Sequence, residues 1–207
     1  MKLSIIGPAG SGKGVQAELL SKKYKLKIIA AGELLRHEEK KKTKIGKIIS
    51  KFVDKGNLVP NKIIENLIKK RLPKNNFLID GFPRDLPEAK WLEKLSPLDL
   101  VIHLDTRKQV VLKRLSNRRV CPRCHEIYHL INKKPKKAGI CDKCKSKLIQ
   151  RIDDKPKFIK KRLEVYKKET IPVVRFFEKK QKLVHVDGNK SVKNVFNQIN
   201  KILKNEQ

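Results

Sequence analysis

The chain has 207 residues, 39% of them hydrophobic, and a formal net charge of +31. This length suits one α/β domain with small inserts, and no apolar run approaches the roughly 18 residues of a membrane span. The charge attracts polyanions, but lysines on helix surfaces explain it equally well, so it selects no function. Because a strand-like segment begins within the first residues, a signal peptide has no room, and we expect a cytoplasmic protein without membrane partners.

Short apolar segments alternate with helical ones, as is typical of a doubly wound, mostly parallel sheet. The predicted strands are Leu3–Ile6, Lys27–Ala30, Phe77–Asp80, Leu100–Leu104 and Leu183–Val186. The predicted helices are Val15–Tyr24, Asn61–Arg71, Lys108–Arg118, Lys155–Lys168 and Ser191–Leu203. Two stretches, 31–60 and 119–154, break this rhythm and are predicted to be inserts.

A glycine-rich loop, Gly7–Lys13, lies between the first predicted strand and helix and reads G-x-x-x-x-G-K. This is the phosphate-binding P-loop in its required context, where backbone N–H groups and a helix N-terminus converge on an anion. Lys13 is expected to reach the β- and γ-phosphates. The predicted ATP-binding residues here are Gly10, Ser11, Gly12, Lys13, Gly14 and Val15.

Gly14 occupies the position where most P-loops place a Ser or Thr hydroxyl on Mg²⁺. Without that ligand, phosphates and waters are expected to hold the metal. Asp80, at the end of the third predicted strand, is the candidate for orienting those waters.

Four segments resemble the adenylate kinase family: Gly12–Gly14, Ile29–Arg36, Gly56–Pro60 and Phe77–Arg84, the last nearly a full match to its signature. The resemblance implies a P-loop NTPase-type, doubly wound, five-stranded parallel sheet with a helical monophosphate-binding insert and a lid. It implies a core of 1–29, 61–117 and 155–207, an insert of 30–60 and a lid of 118–154. The implied activity is reversible, Mg²⁺-dependent phosphoryl transfer from ATP to AMP, giving two ADP, by a monomer.

The same resemblance implies an acceptor site made of arginines, whose planar forks fit phosphate oxygens. The implied AMP-binding residues are Ala31, Arg36, Val59, Gly81, Arg84, Glu88, Arg151 and Arg162. Ala31 and Glu88 replace the family's usual Thr and Gln. An ionised Glu accepts from the adenine N6 amino group but opposes N1, whereas it suits guanine N1–H and N2–H₂. A kinase that prefers GMP, UMP or CMP is therefore the alternative.

All four cysteines lie in one segment, as C-x₂-C-x₁₆-C-x₂-C: Cys121, Cys124, Cys141 and Cys144. This spacing indicates a closed, structural Zn²⁺ site. The overlapping C-x-x-C-H motif of c-type haem would leave Cys141 and Cys144 unexplained. The segment resembles the long zinc-bearing lid of some adenylate kinases. Its lysines leave a remote alternative, a basic zinc-ribbon ATPase that binds nucleic acid; an adenylate kinase needs no nucleic-acid partner.

The resemblance also implies charge stabilisation by Lys13, Arg84, Arg118, Arg151 and Arg162 during in-line transfer. Arg114 is implied to pack on the ATP base, and Lys190 to lie in a loop that borders it. Asp153 and Asp154 would orient the arginines. No general base is expected, because the attacking phosphate oxygen is already anionic.

Overall fold

A computed structural model describes residues 1–41 and 43–205. Lys42, in the predicted insert 30–60, and residues 206–207, at the end of the predicted core, lie outside the described residues. The strands are β1 Lys2–Ile6, β2 Lys27–Ala30, β3 Phe77–Asp80, β4 Leu100–Asp105, β5 Arg118–Val120, β6 Ile127–His129 and β7 Leu183–Asp187. Five of them form a parallel sheet in the order β2-β3-β1-β4-β7, which confirms the predicted fold class.

Helices connect these strands on both faces of the sheet. They are α1 Lys13–Tyr24, α2 Ala31–Lys40, α3 Lys44–Val53, α4 Asn61–Lys69, α5 Leu86–Leu95, α6 Lys108–Ser116, α7 Pro156–Val165, α8 Ile171–Lys179 and α9 Val192–Asn205. A 3₁₀ turn, Ile152–Asp154, precedes α7, and a π turn, Tyr166–Thr170, joins α7 to α8. Within the described residues, no helix has the length and apolar character needed to cross a membrane.

The structure corrects the bounds of two predicted helices. The helix predicted to reach Arg118 ends at Ser116, because Arg118–Val120 pairs antiparallel with β6. The helix predicted over Lys155–Lys168 is α-helical from Pro156 to Val165 and then widens into the π turn.

Two further helices, α5 and α8, were not predicted. For α5 the signal was present: Asp85 caps the helix by accepting from the backbone N–H of Glu88, and a proline lies in the first turn. An Asp before a first-turn Pro is a typical helix start.

Alternating strand residues bury two apolar layers, one on each face of the sheet. Phe77 and Val101 pack on one face with Phe177 of α8. Leu78 and Ile102 pack on the other with α1 and α9. In a sheet wound in this way, ligands bind where the carboxyl ends of the strands meet. The P-loop and Asp80 both follow such ends.

The residues from the start of β5 to the residue before the 3₁₀ turn form a separate small structure, which we call the cysteine lobe (118–151). It contains the antiparallel pair β5–β6 and three isolated bridges, Val120 with Ile149, His129 with Lys133 and Ile140 with Lys147. Its buried apolar residues are Cys121, Tyr128, Cys141 and Leu148.

Candidate active site

The P-loop leaves β1 at Ile6 and enters α1 at Lys13 with backbone angles that require glycine. Gly10 and Gly12 have φ of 78° and 102°. A Cβ on Gly7 would lie 2.8 Å from the Leu104 carbonyl oxygen, and one on Gly10 would lie 2.8 Å from Leu115 Cγ. The loop is therefore pressed against β4 and α6, with no room for side chains at these points.

Lys13 extends under this loop. Its Nζ donates to the carbonyl oxygens of Gly7, at 2.9 Å, and Pro8, at 2.8 Å. Burial lowers the pKa of Lys13 to about 7, although Asp80 opposes the shift. An incoming phosphate would supply the negative charge that this amine lacks.

Asp80 ends β3 opposite the start of α1. A Cβ on Gly14 would lie 3.3 Å from Asp80 Oδ2, so a Ser or Thr there would crowd the carboxylate. Burial raises the pKa of Asp80, and Lys13 and Arg84 oppose this. The Asp80 carboxylate thus occupies the space beside Gly14, where other P-loops have a Ser or Thr hydroxyl.

Gly81 separates Lys13 from Arg84, and its φ is 71°. A Cβ here would lie 3.5 Å from Lys13 Cε and 3.6 Å from Arg84 Nη2. Arg84 is fixed by its Nε, which donates to the Gly81 carbonyl at 2.7 Å, and by Thr170, whose hydroxyl donates to the Arg84 carbonyl at 2.7 Å. The P-loop lysine and an arginine of the signature therefore face each other across a glycine.

Glu33 brings two more of the predicted arginines together. Its Oε1 accepts from Arg36 Nη2 at 2.5 Å and from Arg151 Nη2 at 3.4 Å. Burial, with the neighbouring Arg36 and Arg118, lowers the pKa of Arg151 to about 9. Glu33 itself was not predicted as a site residue, although it lies in the Ile29–Arg36 segment.

The two carboxylates of the 3₁₀ turn hold the remaining arginines. Asp154 accepts from Arg118 through both oxygens, at 2.7 and 2.5 Å. Asp153 accepts from Arg162 Nη1 at 2.7 Å. Burial lowers the pKa of Arg162 to about 10 despite these carboxylates. Several buried cations thus share few anions, an arrangement suited to a polyphosphate.

A cavity joins these groups. Its lining includes Lys13, Arg36, Gly81, Arg84 and Arg162 of the predicted residues. Ala31, Val59, Glu88, Arg118 and Arg151 are not among its lining residues. Val59 lines a neighbouring cavity instead, and Ala31 is 1% exposed within the apolar core.

Glu88 is buried, and its carboxyl group faces the start of α5. Oε2 accepts from the backbone N–H of Arg84 at 2.6 Å. Burial raises the pKa of Glu88 to about 7. Near neutral pH this carboxyl therefore exists in both protonation states.

Arg114 connects the P-loop to the loop after β7. Its Nη1 donates to the carbonyl oxygens of Ser11, at 3.1 Å, and Gly188, at 2.8 Å, and its Nη2 donates to that of Lys190, at 3.3 Å. The predicted base-stacking residue thus holds both the P-loop, which is predicted to bind the phosphates, and the loop after β7, which is predicted to border the ATP base. Val15, on the first turn of α1, is 39% exposed.

The four cysteines converge within the cysteine lobe. The Sγ atoms are 3.2 Å apart for Cys121 and Cys144, and 3.4 Å apart for Cys124 and Cys141. Zn–S bonds of about 2.3 Å give a tetrahedron with edges of about 3.8 Å, so a small expansion accommodates Zn²⁺. All four ligand atoms lie within 4.8 Å of one another.

Each Cys pair sits on the same kind of turn. The residues after the second cysteines, His125 and Lys145, both have φ of 62°. Their N–H groups donate to the carbonyls of Cys121 and Cys141, at 3.0 and 2.9 Å. Two matched turns therefore present two thiols each to one point.

The cysteine lobe also touches α2. Lys40 Nζ donates to the Pro122 carbonyl at 2.7 Å and lies 3.3 Å from His125 Nε2. His125 thus faces α2, while the four thiols converge on one another. Lys40 was not singled out from the sequence.

Comparison with known proteins agrees with this geometry. The family model described as Adenylate kinase matches residues 5–182. The chain is 41% identical to an adenylate kinase of Caldanaerobacter subterraneus subsp. tengcongensis, over 98% of this chain and 96% of the relative. It is 42% identical to an adenylate kinase of Phytoplasma australiense over the whole of both chains, and 38% identical to one of Petrotoga mobilis over 99% and 98%.

Proposed function

This chain belongs to the adenylate kinase family, and we propose that it catalyses reversible, Mg²⁺-dependent phosphoryl transfer from ATP to AMP, giving two ADP. Family membership makes it a phosphotransferase. The observation that carries the proposal is the approach of Lys13 and Arg84 across Gly81. In the proposed reaction, Lys13 on the donor side and Arg84 on the acceptor side would contact the same phosphoryl group.

Charge and placement supply the catalysis in this proposal. The transferring group spreads negative charge over its oxygens, and fixed cations stabilise it without reorganising. Lys13 holds the donor phosphates, and Arg36 and Arg84 hold the acceptor phosphate. Arg118 and Arg162, which Asp154 and Asp153 hold through hydrogen bonds, would contact the oxygens in transfer.

The donor nucleotide would occupy the P-loop, with Gly10, Ser11, Gly12 and Gly14 offering backbone N–H groups. Arg114 and the loop that carries Lys190 would border its base. Mg²⁺, when bound with ATP, would neutralise phosphate charge, and Asp80 would accept hydrogen bonds from its waters.

Three rigid parts would serve this reaction: a core of 1–29, 61–117 and 155–207, a monophosphate-binding insert of 30–60 and a lid of 118–154. Zn²⁺ bound by the four cysteines would stabilise the lid without entering the reaction. Closure of the lid over the phosphates would exclude water, which otherwise competes as the acceptor. We further propose a cytoplasmic monomer that needs no nucleic acid, as the resemblance to long-lid adenylate kinases implies.

The raised pKa of Glu88 supports AMP as the acceptor. A protonated carboxyl donates through one oxygen and accepts through the other, as a Gln amide does. In the proposed complex it would donate to adenine N1 and accept from the N6 amino group, which requires AMP binding to expose the carboxyl group of a residue that is 2% exposed in this structure. The ionised form would disfavour N1, so AMP binding should weaken as Glu88 loses its proton.

The decisive experiment offers Mg-ATP with AMP, GMP, CMP or UMP in turn and measures nucleoside diphosphate formation. We expect rapid turnover with AMP and at least about 100-fold lower kcat/KM with the others, a difference of roughly 2.7 kcal/mol. If another nucleoside monophosphate is preferred, the kinase activity stands but the proposed acceptor, AMP, is wrong. Absence of transfer to every acceptor would refute the proposal.

A further inference from the structure

A second cluster of metal-ligand side chains lies at the edge of the sheet, apart from the cysteine lobe. His103 and Asp105 belong to β4, and His185 belongs to the edge strand β7. His103 pairs directly with His185 in the parallel register, and Asp105 is two residues further along β4. Since side chains two apart share a face, all three project from the same face toward α8 and the π turn.

The candidate ligand atoms, one from each residue, lie within 4.8 Å of one another, close enough for a single metal ion. His103 Nδ1 lies 3.3 Å from His185 Nδ1 and 3.2 Å from Asp105 Oδ1, and His185 Nδ1 lies 2.7 Å from Asp105 Oδ2. Bonds of about 2.0 to 2.1 Å to a tetrahedral Zn²⁺ give edges of about 3.3 Å. The separation of the two Nδ1 atoms already has that length, and Asp105 presents one oxygen to each histidine, Oδ1 to His103 and Oδ2 to His185.

Each imidazole has an outer partner on its other nitrogen. His185 Nε2 lies 2.8 Å from Glu178 Oε1, and His103 Nε2 lies 2.5 Å from the Tyr166 hydroxyl. Histidines that bind a metal commonly engage a carboxylate or another oxygen through the second ring nitrogen, which orients the ring. Here both rings use Nε2 outward, so both Nδ1 atoms converge on Asp105.

This convergence needs a positive charge. The Glu178 carboxylate accepts a hydrogen bond from Nε2–H of His185. In a neutral His185 the proton is then on Nε2, so the lone pair of Nδ1 faces the Asp105 carboxylate. A bound cation removes that repulsion, and so does a second proton on His185.

We propose that His103, Asp105 and His185 bind a divalent transition-metal ion of the zinc class, with water as the fourth ligand. The site is accessible, because the side chains of His185 and Asp105 are each 49% exposed, whereas that of His103 is 4% exposed. Its nitrogen and oxygen ligands distinguish it from the four thiols of the lid. Tyr166 lines the active-site cavity, so the metal would lie one side chain behind it.

The test titrates the full, zinc-loaded protein with Co²⁺ and counts bound metal after desalting. We expect about one equivalent of Co²⁺ beyond the lid zinc, with weak visible absorption and no thiolate-to-cobalt charge-transfer band. His185→Gln and Asp105→Asn should each remove this equivalent. His37→Gln, a change at an exposed histidine on α2, should retain it.

An outer-shell variant sharpens the test. Glu178→Gln should keep the stoichiometry but weaken Co²⁺ binding by about 10- to 100-fold. Thermal unfolding of each variant checks that the fold survives, and both altered ligands are half-exposed. Wild-type protein that takes up no additional metal would overturn the proposal and leave a protonated His185 as the explanation. Equal uptake by His185→Gln would overturn it as well.

Discussion

The sheet core and the cysteine lobe hold their structures by different means. The core buries two continuous apolar layers, one on each face of the sheet. In the lobe, two of the four buried apolar residues are Cys121 and Cys141, packed with Tyr128 and Leu148. So small an apolar cluster cannot stabilise a fold alone, and we propose that Zn²⁺ bound by the four thiols supplies the rest. In this proposal, apolar burial stabilises the fixed core, and a bound metal stabilises the lobe that moves.

The largest expected effect is on the lobe. Cys144→Ser, or chelation of zinc, should remove most of a stabilisation that amounts to about 10 kcal/mol in small zinc domains. Protease cleavage should then appear between residues 118 and 151, kcat should fall by about tenfold or more, and the core should unfold at an unchanged temperature. Lys134→Ser, at an exposed lobe residue, is the control. If the metal-free cysteine lobe resists protease, a bound metal is not what stabilises it.

In the core, we expect Lys13→Met to lower kcat by about 1,000-fold, the loss typical of removing a group that stabilises transition-state charge. It should also stabilise the ligand-free protein. Because the folded pKa of Lys13 is lowered to about 7 from 10.5, wild-type stability should fall as pH drops from 10.5 to 7.

The gain in the free energy of unfolding should be on the order of 2 to 4 kcal/mol at pH 7. Chemical denaturation across this pH range measures it. The exposed Lys22→Met on the same helix should change neither activity nor stability. If Lys13→Met is less stable than the wild type, the buried Lys13 amine does not lower the free energy of unfolding.

Asp154 lies where the lobe joins the core, so it tests how strongly the two depend on each other. Asp154→Asn leaves Arg118 without its carboxylate, and we expect a loss of about 3 kcal/mol in the free energy of unfolding. Glu18→Gln, on the exposed face of α1, should have no effect. If Asp154→Asn has the same free energy of unfolding as the wild type, the buried Arg118–Asp154 pair positions Arg118 without stabilising the fold.

The smallest effect concerns Glu88. Its raised pKa contributes stability below pH 4.5 that is lost as pH rises through about 7. Glu88→Gln should therefore be more stable than wild type above pH 7, on the order of 2 kcal/mol, with the difference vanishing toward pH 4.5. The wild-type KM for AMP should rise about tenfold from pH 6 to 8, whereas that of Glu88→Gln should stay flat. If the KM for AMP has the same pH dependence in the wild type and in Glu88→Gln, Glu88 does not contact the acceptor base.

Contiguous motifs made much of this structure predictable. The P-loop, the signature Phe77–Arg84 and the cysteine spacing each encode their geometry within a few residues. The five strands were predictable because buried parallel strands read as short apolar runs. The bounds of the central strands followed to within a residue or two.

Partners distant in sequence were not predictable in the same way. Glu33 meets Arg151, and Thr170 meets Arg84, only because the chain returns to the same edge of the sheet. His185 faces His103 for the same reason. The end of α6 at Ser116 is set by pairing with β6 and not by local propensity.

The bond from Lys40 to the Pro122 carbonyl joins the two inserts directly. In the proposed mechanism, opening either insert alone would break this bond. A nucleotide that drew its own insert inward would therefore make binding of the other nucleotide more favourable. By thermodynamic reciprocity, AMP would then raise the affinity for ATP by the same factor as ATP raises that for AMP. An exposed bond worth about 0.5 to 1.5 kcal/mol gives a factor of roughly 2 to 12. A single lysine would thereby favour the ternary complex over either half-filled enzyme, and futile hydrolysis of ATP would decline with it.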